Sequence, residues 1–195
     1  LPSKEEKMET FIALALGLLF TTNNPNSNLP EKEKIIIYNE SAKRTNDLIH
    51  TDLEVSFNWE KQHVYGEATI TVKPYFHSTR KLVLDAKGFD IHSVTMNGKD
   101  LNYDYDSLIL VIELDKEYHR NEQYIIKVDY TAKPNELNVK GSSAISDAKG
   151  LYFINPKGDE DKPQQIWTQG ETEASSCWYP TIDRPNERMT QNIAI

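Results

Sequence analysis

Between Leu48 and Ala132 apolar and polar residues alternate in short runs, and this period of two restricts the fold more than any other feature of the sequence. In LEVSFNW, Leu53, Val55, Phe57 and Trp59 fall on one side and Glu54, Ser56 and Asn58 on the other, as in a half-buried strand. ATITV (Ala68 to Val72) repeats the pattern, and Pro74 closes it because proline has no amide to give to a ladder. KLVLDA (Lys81 to Ala86), FDIHSVTM (Phe89 to Met96), LNYDY (Leu101 to Tyr105), LILVIEL (Leu108 to Leu114) and YIIKVDYTA (Tyr124 to Ala132) continue the series. Asn97-Gly98 marks a tight hairpin, since both residues tolerate positive φ. No long helical pattern interrupts, so the expectation is an all-β domain, a sandwich or saddle-shaped open sheet with mostly antiparallel strands.

Downstream the texture loosens. KGSSAISDAKG (Lys140 to Gly150) reads as loop, LYFI (Leu151 to Ile154) as a short strand and NPKGDEDKP (Asn155 to Pro163) as an exposed turn. QIWTQ is a strand running into the segment TQGETEASSCWYPTIDRPNERM (Thr168 to Met189). There Gln169, Glu171, Glu173, the single cysteine, Trp-Tyr-Pro and Asp-Arg-Pro gather within one irregular stretch. The final QNIAI reads as another strand beginning, as in a domain cut short.

At 195 residues there is room for one well-buried core and an appendage. The net charge of -8, with Lys and Arg spread thinly among acids, argues against a nucleic-acid partner, which needs a concentrated basic face. One cysteine excludes an internal disulfide. The apolar run FIALALGLLF (Phe11 to Phe20) is followed by the Asn-rich TTNNPNSNLP and the charge run EKEK. Ten apolar residues match the core of a signal peptide and fall short of the ~20 that span a bilayer, so no transmembrane span is expected. Either this run is an export signal, placing the protein in the periplasm or cell envelope, or it is a packed helix of a cytoplasmic protein. The resulting division is a signal-like segment and polar linker over 1–47 and a β-domain over 48–195.

His50, His63, His77, His92 and His119 stand singly, with no His-Glu-x-x-His and no pair at metal-ligand spacing. Asp104 and Asp106 flank a hairpin and read as solvated turn residues. There is no Gly-x-Ser-x-Gly elbow, P-loop or Gly-rich dinucleotide turn. The sequence holds no complete catalytic apparatus of its own.

Gln169 and Glu171 in the frame Thr-Gln-x-Glu, then Trp178-Tyr179-Pro180 and Asp183-Arg184-Pro185, resemble the N-terminal domain of the aminopeptidase N family of zinc metallopeptidases. NDLIHTDLEVSFNWEKQHVYGEATITV and YTAKPNEL are similar to that domain in order and texture, so the likeness covers roughly 45–195. The run from Trp167 to Ser176 looks most like bacterial envelope members. The resemblance implies that this loop reaches into the active-site cleft of a following domain. There Glu171 would help hold the free α-ammonium of a peptide substrate and Gln169 would line the pocket for its first side chain. A carboxylate suits that task, since an ammonium offers three donors.

Without the family, Glu171 and Glu173 read as two exposed acids opening a short helix, favoured by its dipole. Glu173 is expected to stay solvated, because two buried acids would repel. Cys177 and Trp178 are expected to pack beneath the loop, with Tyr179, Pro180, Asp183 and Pro185 shaping it and Asp183 anchoring a turn.

The family's Gly-x-Met-Glu-Asn strand and its His-Glu-x-x-His zinc helix are missing from this sequence. In the family zinc activates water and a glutamate acts as general base. The cofactor of the full-length protein is therefore expected to be zinc, held by a downstream catalytic domain. This chain alone is expected to bind none and to be inactive. Two alternatives stay open: an independent β-sandwich binding module, and an inactive relative used as a scaffold.

Overall fold

The computed structural model describes residues 43–138 and 147–195. The signal-like run Phe11 to Phe20 and most of the loop from Lys140 lie outside the described residues. Eleven strands follow one another among those described: β1 (Asn46–Asn58), β2 (His63–Pro74), β3 (Thr79–Asp85), β4 (Asp90–Met96), β5 (Lys99–Asp100) and β6 (Tyr103–Tyr105). Then come β7 (Ile109–Tyr118), β8 (Tyr124–Ala132), β9 (Leu151–Ile154), β10 (Gln165–Thr168) and β11 (Thr190–Ala194). They form a six-stranded sheet in the order β11-β1-β2-β8-β4-β5, a three-stranded sheet β3-β7-β6 and a two-stranded ribbon β10-β9. The all-β class and antiparallel pairing expected from the alternation are what the chain adopts.

Alternation places the core. On β2, Val64, Ala68, Ile70 and Val72 are sealed from solvent, and on β8 so are Ile126, Val128, Tyr130 and Ala132. Cross-strand register sets Val64 beside Ala132, Ala68 beside Val128 and Ile70 beside Ile126. The other sheet contributes Leu82 and Leu84 of β3 against Ile112 and Leu110 of β7. The buried faces of the two sheets join in one hydrophobic cluster. The Asn97-Gly98 turn links β4 to β5 with φ of 52° and 74° and Met96 opposite Lys99, as a two-residue hairpin of this twist requires.

Two features depart from plain alternation. In β1 both Leu48 and Leu53 are buried although an odd interval separates them. The register slips between Leu48, opposite Val72, and His50, opposite Thr71, leaving Ile49 as the extra residue of a bulge that resets the inward face. The second is β11, which pairs with β1 in parallel, from His50 opposite Thr190 to Glu54 opposite Ala194. His50 reinforces that ladder with Nδ1 2.6 Å from the Thr190 hydroxyl, while Asn192 donates to Asp52 at 2.9 Å.

The segment entering β11 is tied to the start of β1 by Glu187. Its carboxylate accepts from the Leu48 amide at 2.7 Å and from Arg44 at 2.9 and 3.2 Å, and Arg44 also reaches Asp47 at 2.7 Å. Both pKa values rise, which favours the charged form of Arg44 and disfavours that of Glu187. Burial pulls the Arg44 guanidinium down, but Glu187 and Asp47 outweigh it and its pKa rises. Burial pushes the Glu187 carboxyl up, and the Leu48 amide and Arg44 do not fully offset it. Removing this carboxylate from water thus costs more than its partners return.

A carboxyl that holds its proton more tightly folded than unfolded loses stability on ionising. Its contribution is greatest below its unfolded pKa and declines as pH rises through the raised value. Urea unfolding of the protein and of Glu187→Gln, compared from about pH 4 to about pH 7, is expected to show the wild-type advantage shrinking as pH rises. An advantage that grows with pH would mean that the pairing outweighs the burial.

Candidate functional site

The polar segment is built outward from the β9–β10 ribbon. Thr168 pairs with Leu151 and Trp167 with Tyr152, whose rings stack at 4.4 Å. The chain leaves β10 at Gln169, whose amide donates to the Gly150 carbonyl at 2.9 Å. Ala174 then donates back to Gly170 at 3.0 Å, closing a turn over Glu171, Thr172 and Glu173. Gly150 is required where this turn crosses it: φ is +73°, and a Cβ there would lie 1.9 Å from the Ala174 carbonyl oxygen.

After the turn comes a single 3-10 turn, Ser175–Cys177, and no α-helix. The acids therefore do not open a helix. Glu171 is exposed at the apex and Gln169 is half-buried. Glu173 differs from the solvated acid expected: its carboxylate pairs with Arg184 at 2.6 Å, and its carbonyl accepts from the Lys87 ammonium. An arginine eleven residues downstream gave no periodic signal for such a contact.

The rest of the segment is nailed to the end of β3. Asp85 and Thr181 exchange backbone hydrogen bonds of 2.7 and 3.1 Å, and the Asp85 carboxylate accepts from the Asp183 amide at 2.9 Å. The Asp183 carboxylate in turn accepts from the Ser176 amide at 2.9 Å and its hydroxyl at 2.8 Å. Lys87 donates its own amide to the Ser176 carbonyl at 2.8 Å. Trp178, Tyr179 and Pro180 are buried, while Pro185 is exposed. Trp178 hands its carbonyl to the hydroxyl of Tyr130 at 3.1 Å, joining the loop to the middle of the main sheet. Cys177 is sealed with its sulfur 3.4 Å from the Ala148 carbonyl, and burial pushes the thiol up to about 11. It is a protonated packing group rather than a nucleophile.

Beside the loop lies a cavity of about 380 Å³. Val55 and Phe57 of β1, Ile166 and Trp167 of β10, Trp178, and Ile193 of β11 give it apolar walls. Thr168, Gly170, Ser175 and Gln191 add polar groups. Gly170 contributes to the lining, whereas its chain neighbours Gln169 and Glu171 are not among the lining residues. Trp167 and Ile193 remain 47% and 48% exposed, a large apolar surface next to a polar loop.

Two further histidines have side-chain partners: His63 meets Glu136 at 2.7 Å and His92 meets Thr131 at 2.8 Å. Among the described residues no three His, Cys, Asp or Glu converge as a metal site, so the residues present do not fit a zinc ion. No helix among the described residues is long and apolar enough to cross a membrane. Asp106 acts within its own turn, accepting from the Leu108 and Ile109 amides at 2.9 and 2.7 Å. These bonds hold its carboxyl below the usual range.

Residues 47–195 match the family model of the peptidase M1 N-terminal domain. The chain belongs to that family. This M1 N-terminal domain is 27% identical over 147 residues to aminopeptidase N of Lactobacillus helveticus, covering 75% of the chain and 16% of that protein. It is 24% identical over 148 residues to leucine aminopeptidase 2 of Vanderwaltozyma polyspora, covering 75% of the chain and 21% of the relative. It is also 25% identical over 116 residues to transcription initiation factor TFIID subunit 2 of Schizosaccharomyces pombe, covering 58% of the chain and 9% of that subunit. The M1 N-terminal domain thus spans about a fifth or less of these relatives.

Among solved structures, a two-domain M1 zinc metallopeptidase bound to L-arginine superposes with a TM-score of 0.64 at 18% identity, over 80% of the chain and 34% of that structure. Leukotriene A4 hydrolase of Saccharomyces cerevisiae gives 0.56 at 19%, over 76% and 23%. At these identities the likeness is one of fold.

Proposed function

We propose that this M1 N-terminal domain forms one wall of the substrate pocket of a zinc-dependent aminopeptidase, which removes N-terminal residues from peptides. Glu171 receives the substrate's α-ammonium and Gln169 lines the pocket for the first side chain. Trp178, Tyr179, Pro180, Asp183 and Pro185 shape the loop that presents them. The observation that carries this reading is the placing of Glu171. It is an exposed carboxylate on the apex of a turn held by backbone bonds on both sides, beside a cavity with exposed apolar walls. Such a carboxylate stays free to accept the donors of an ammonium.

Zinc and the general base belong, on this reading, to a catalytic domain docked against the Trp167 and Ile193 face. No residue of this chain is assigned to either. The apolar run Phe11 to Phe20 supports export to the cell envelope; trimming of that run from the mature protein, read by N-terminal sequencing, tests it.

A scaffold reading is the alternative, supported by the likeness to a transcription initiation factor subunit, 25% identical over 116 residues. The two readings separate on activity. The full-length protein is expected to cleave unblocked aminoacyl anilides and to spare N-acetylated ones. The 195-residue chain alone is expected to cleave neither and to bind no stoichiometric zinc at neutral pH. Tight one-to-one zinc in the isolated chain would overturn the assignment of the metal to a second domain. A full-length protein with no such activity would leave the scaffold.

A further inference from the structure

The turn that carries Glu171 has an apex fixed through one residue. Backbone bonds hold its ends, Gln169 to Gly150 and Ala174 to Gly170. Between them Glu171 and Thr172 are exposed, and Glu173 makes two contacts to other parts of the chain. Its carbonyl takes the Lys87 ammonium, from just beyond β3. Its carboxylate takes Arg184 at 2.6 Å, and Arg184 lies 3.8 Å from Asp85, the last residue of β3. Both anchors therefore trace back to the end of one strand, whose position is set by Leu82 and Leu84 in the core.

We propose that Glu173, Arg184 and Lys87 are positioning residues for the Glu171 carboxylate, fixing where it stands to receive the substrate's ammonium without touching the substrate. The proposal rests on the aminopeptidase reading above and adds to it a support for the ammonium site. Glu173 and Arg184 are 39% and 37% exposed, so the pair adds little to global stability. Its effect is geometric. A shift of the turn moves the carboxylate off the bound ammonium, and binding of the substrate's N-terminus weakens while the hydrolytic groups are undisturbed.

The test is a double-mutant cycle in the full-length protein with one unblocked aminoacyl anilide, using Glu173→Gln, Arg184→Met and both together, with Glu171→Gln as reference. Each single variant is expected to raise KM about fivefold with kcat within about twofold, and the double variant to be no worse than the poorer single. Arg184→Lys, which keeps one charged donor, is expected to restore most of the KM. Lys87→Met should shift KM in the same direction, and Tm should stay within a few degrees in all of them.

Unchanged KM in the single variants, with Glu171→Gln still strongly impaired, overturns the positioning role and leaves the ammonium site standing. Additive losses in the double variant, or a fall in kcat together with Tm, overturn it as well, by assigning the pair to the fold. A harmless Glu171→Gln removes the ammonium site and the support with it.

Discussion

Glu171→Gln in the full-length protein is expected to lower kcat/KM about thirty-fold or more on an unblocked aminoacyl substrate. The substitution keeps the shape of the side chain and removes the charge that would face the substrate's ammonium. Deleting one partner of a desolvated charge pair costs about 2–5 kcal/mol, much of it from leaving the other charge buried and alone. Each ~1.4 kcal/mol is a factor of ten, so even the lower bound gives that loss. Glu173→Gln, two residues along, is expected to cost far less and to act through KM, because its carboxylate is already taken by Arg184. Steady-state kinetics on both variants, with zinc content and Tm measured alongside, decide the matter. Equal, near-wild-type rates in the two would reduce Glu171 to an ordinary surface acid.

The second large effect lies in the core. Tyr130 is fully buried on β8, stacks on Phe89 at 4.9 Å with rings 13° apart, and donates its hydroxyl to the Trp178 carbonyl at 3.1 Å. It therefore joins the main sheet to the loop. Tyr130→Ala is expected to destabilise the domain by about 3–5 kcal/mol, the cost of emptying a large aromatic site that cannot collapse. Tyr130→Phe keeps the ring and orphans the Trp178 carbonyl, which costs about 1–3 kcal/mol. Gly66 is the counterpart, since a Cβ there would stand 2.4 Å from the Tyr130 ring. Gly66→Ala should cost about 1–3 kcal/mol by overpacking. Urea unfolding followed by circular dichroism measures all three. A loss under about 1 kcal/mol for Tyr130→Ala would show that the ring is not the link between sheet and loop.

What the sequence determined by itself was local. YIIKVDYTA is β8 from end to end and LYFI is β9, because a strand with one buried face must alternate wherever it pairs. Asn97-Gly98 formed the hairpin its φ tolerance dictates. The Thr-Gln-x-Glu and Asp-Arg-Pro frame marked the loop, because unlike residue types crowded into a short stretch stand out without knowledge of the fold.

The tertiary structure decided the rest, where the cause lay far along the chain. Nothing near Ile49 announces a bulge; it exists because Leu48 and Leu53 must both face a core that other strands complete. The parallel seat of β11 depends on β1, some 140 residues earlier, offering a free edge, and on Glu187 meeting Arg44 and the Leu48 amide there. The residues read without the family allowed a short helix at Glu171, but the chain makes a turn there, with contacts from Gly150, Lys87 and Arg184. Asp85 reads in sequence as the polar end of a strand, yet it holds the amide of Asp183, 98 positions away. Alternation and turn chemistry act between neighbours in the chain and can be read there. Ion pairs and strand edges join residues that only folding brings within reach, and this loop is placed by contacts of that second kind.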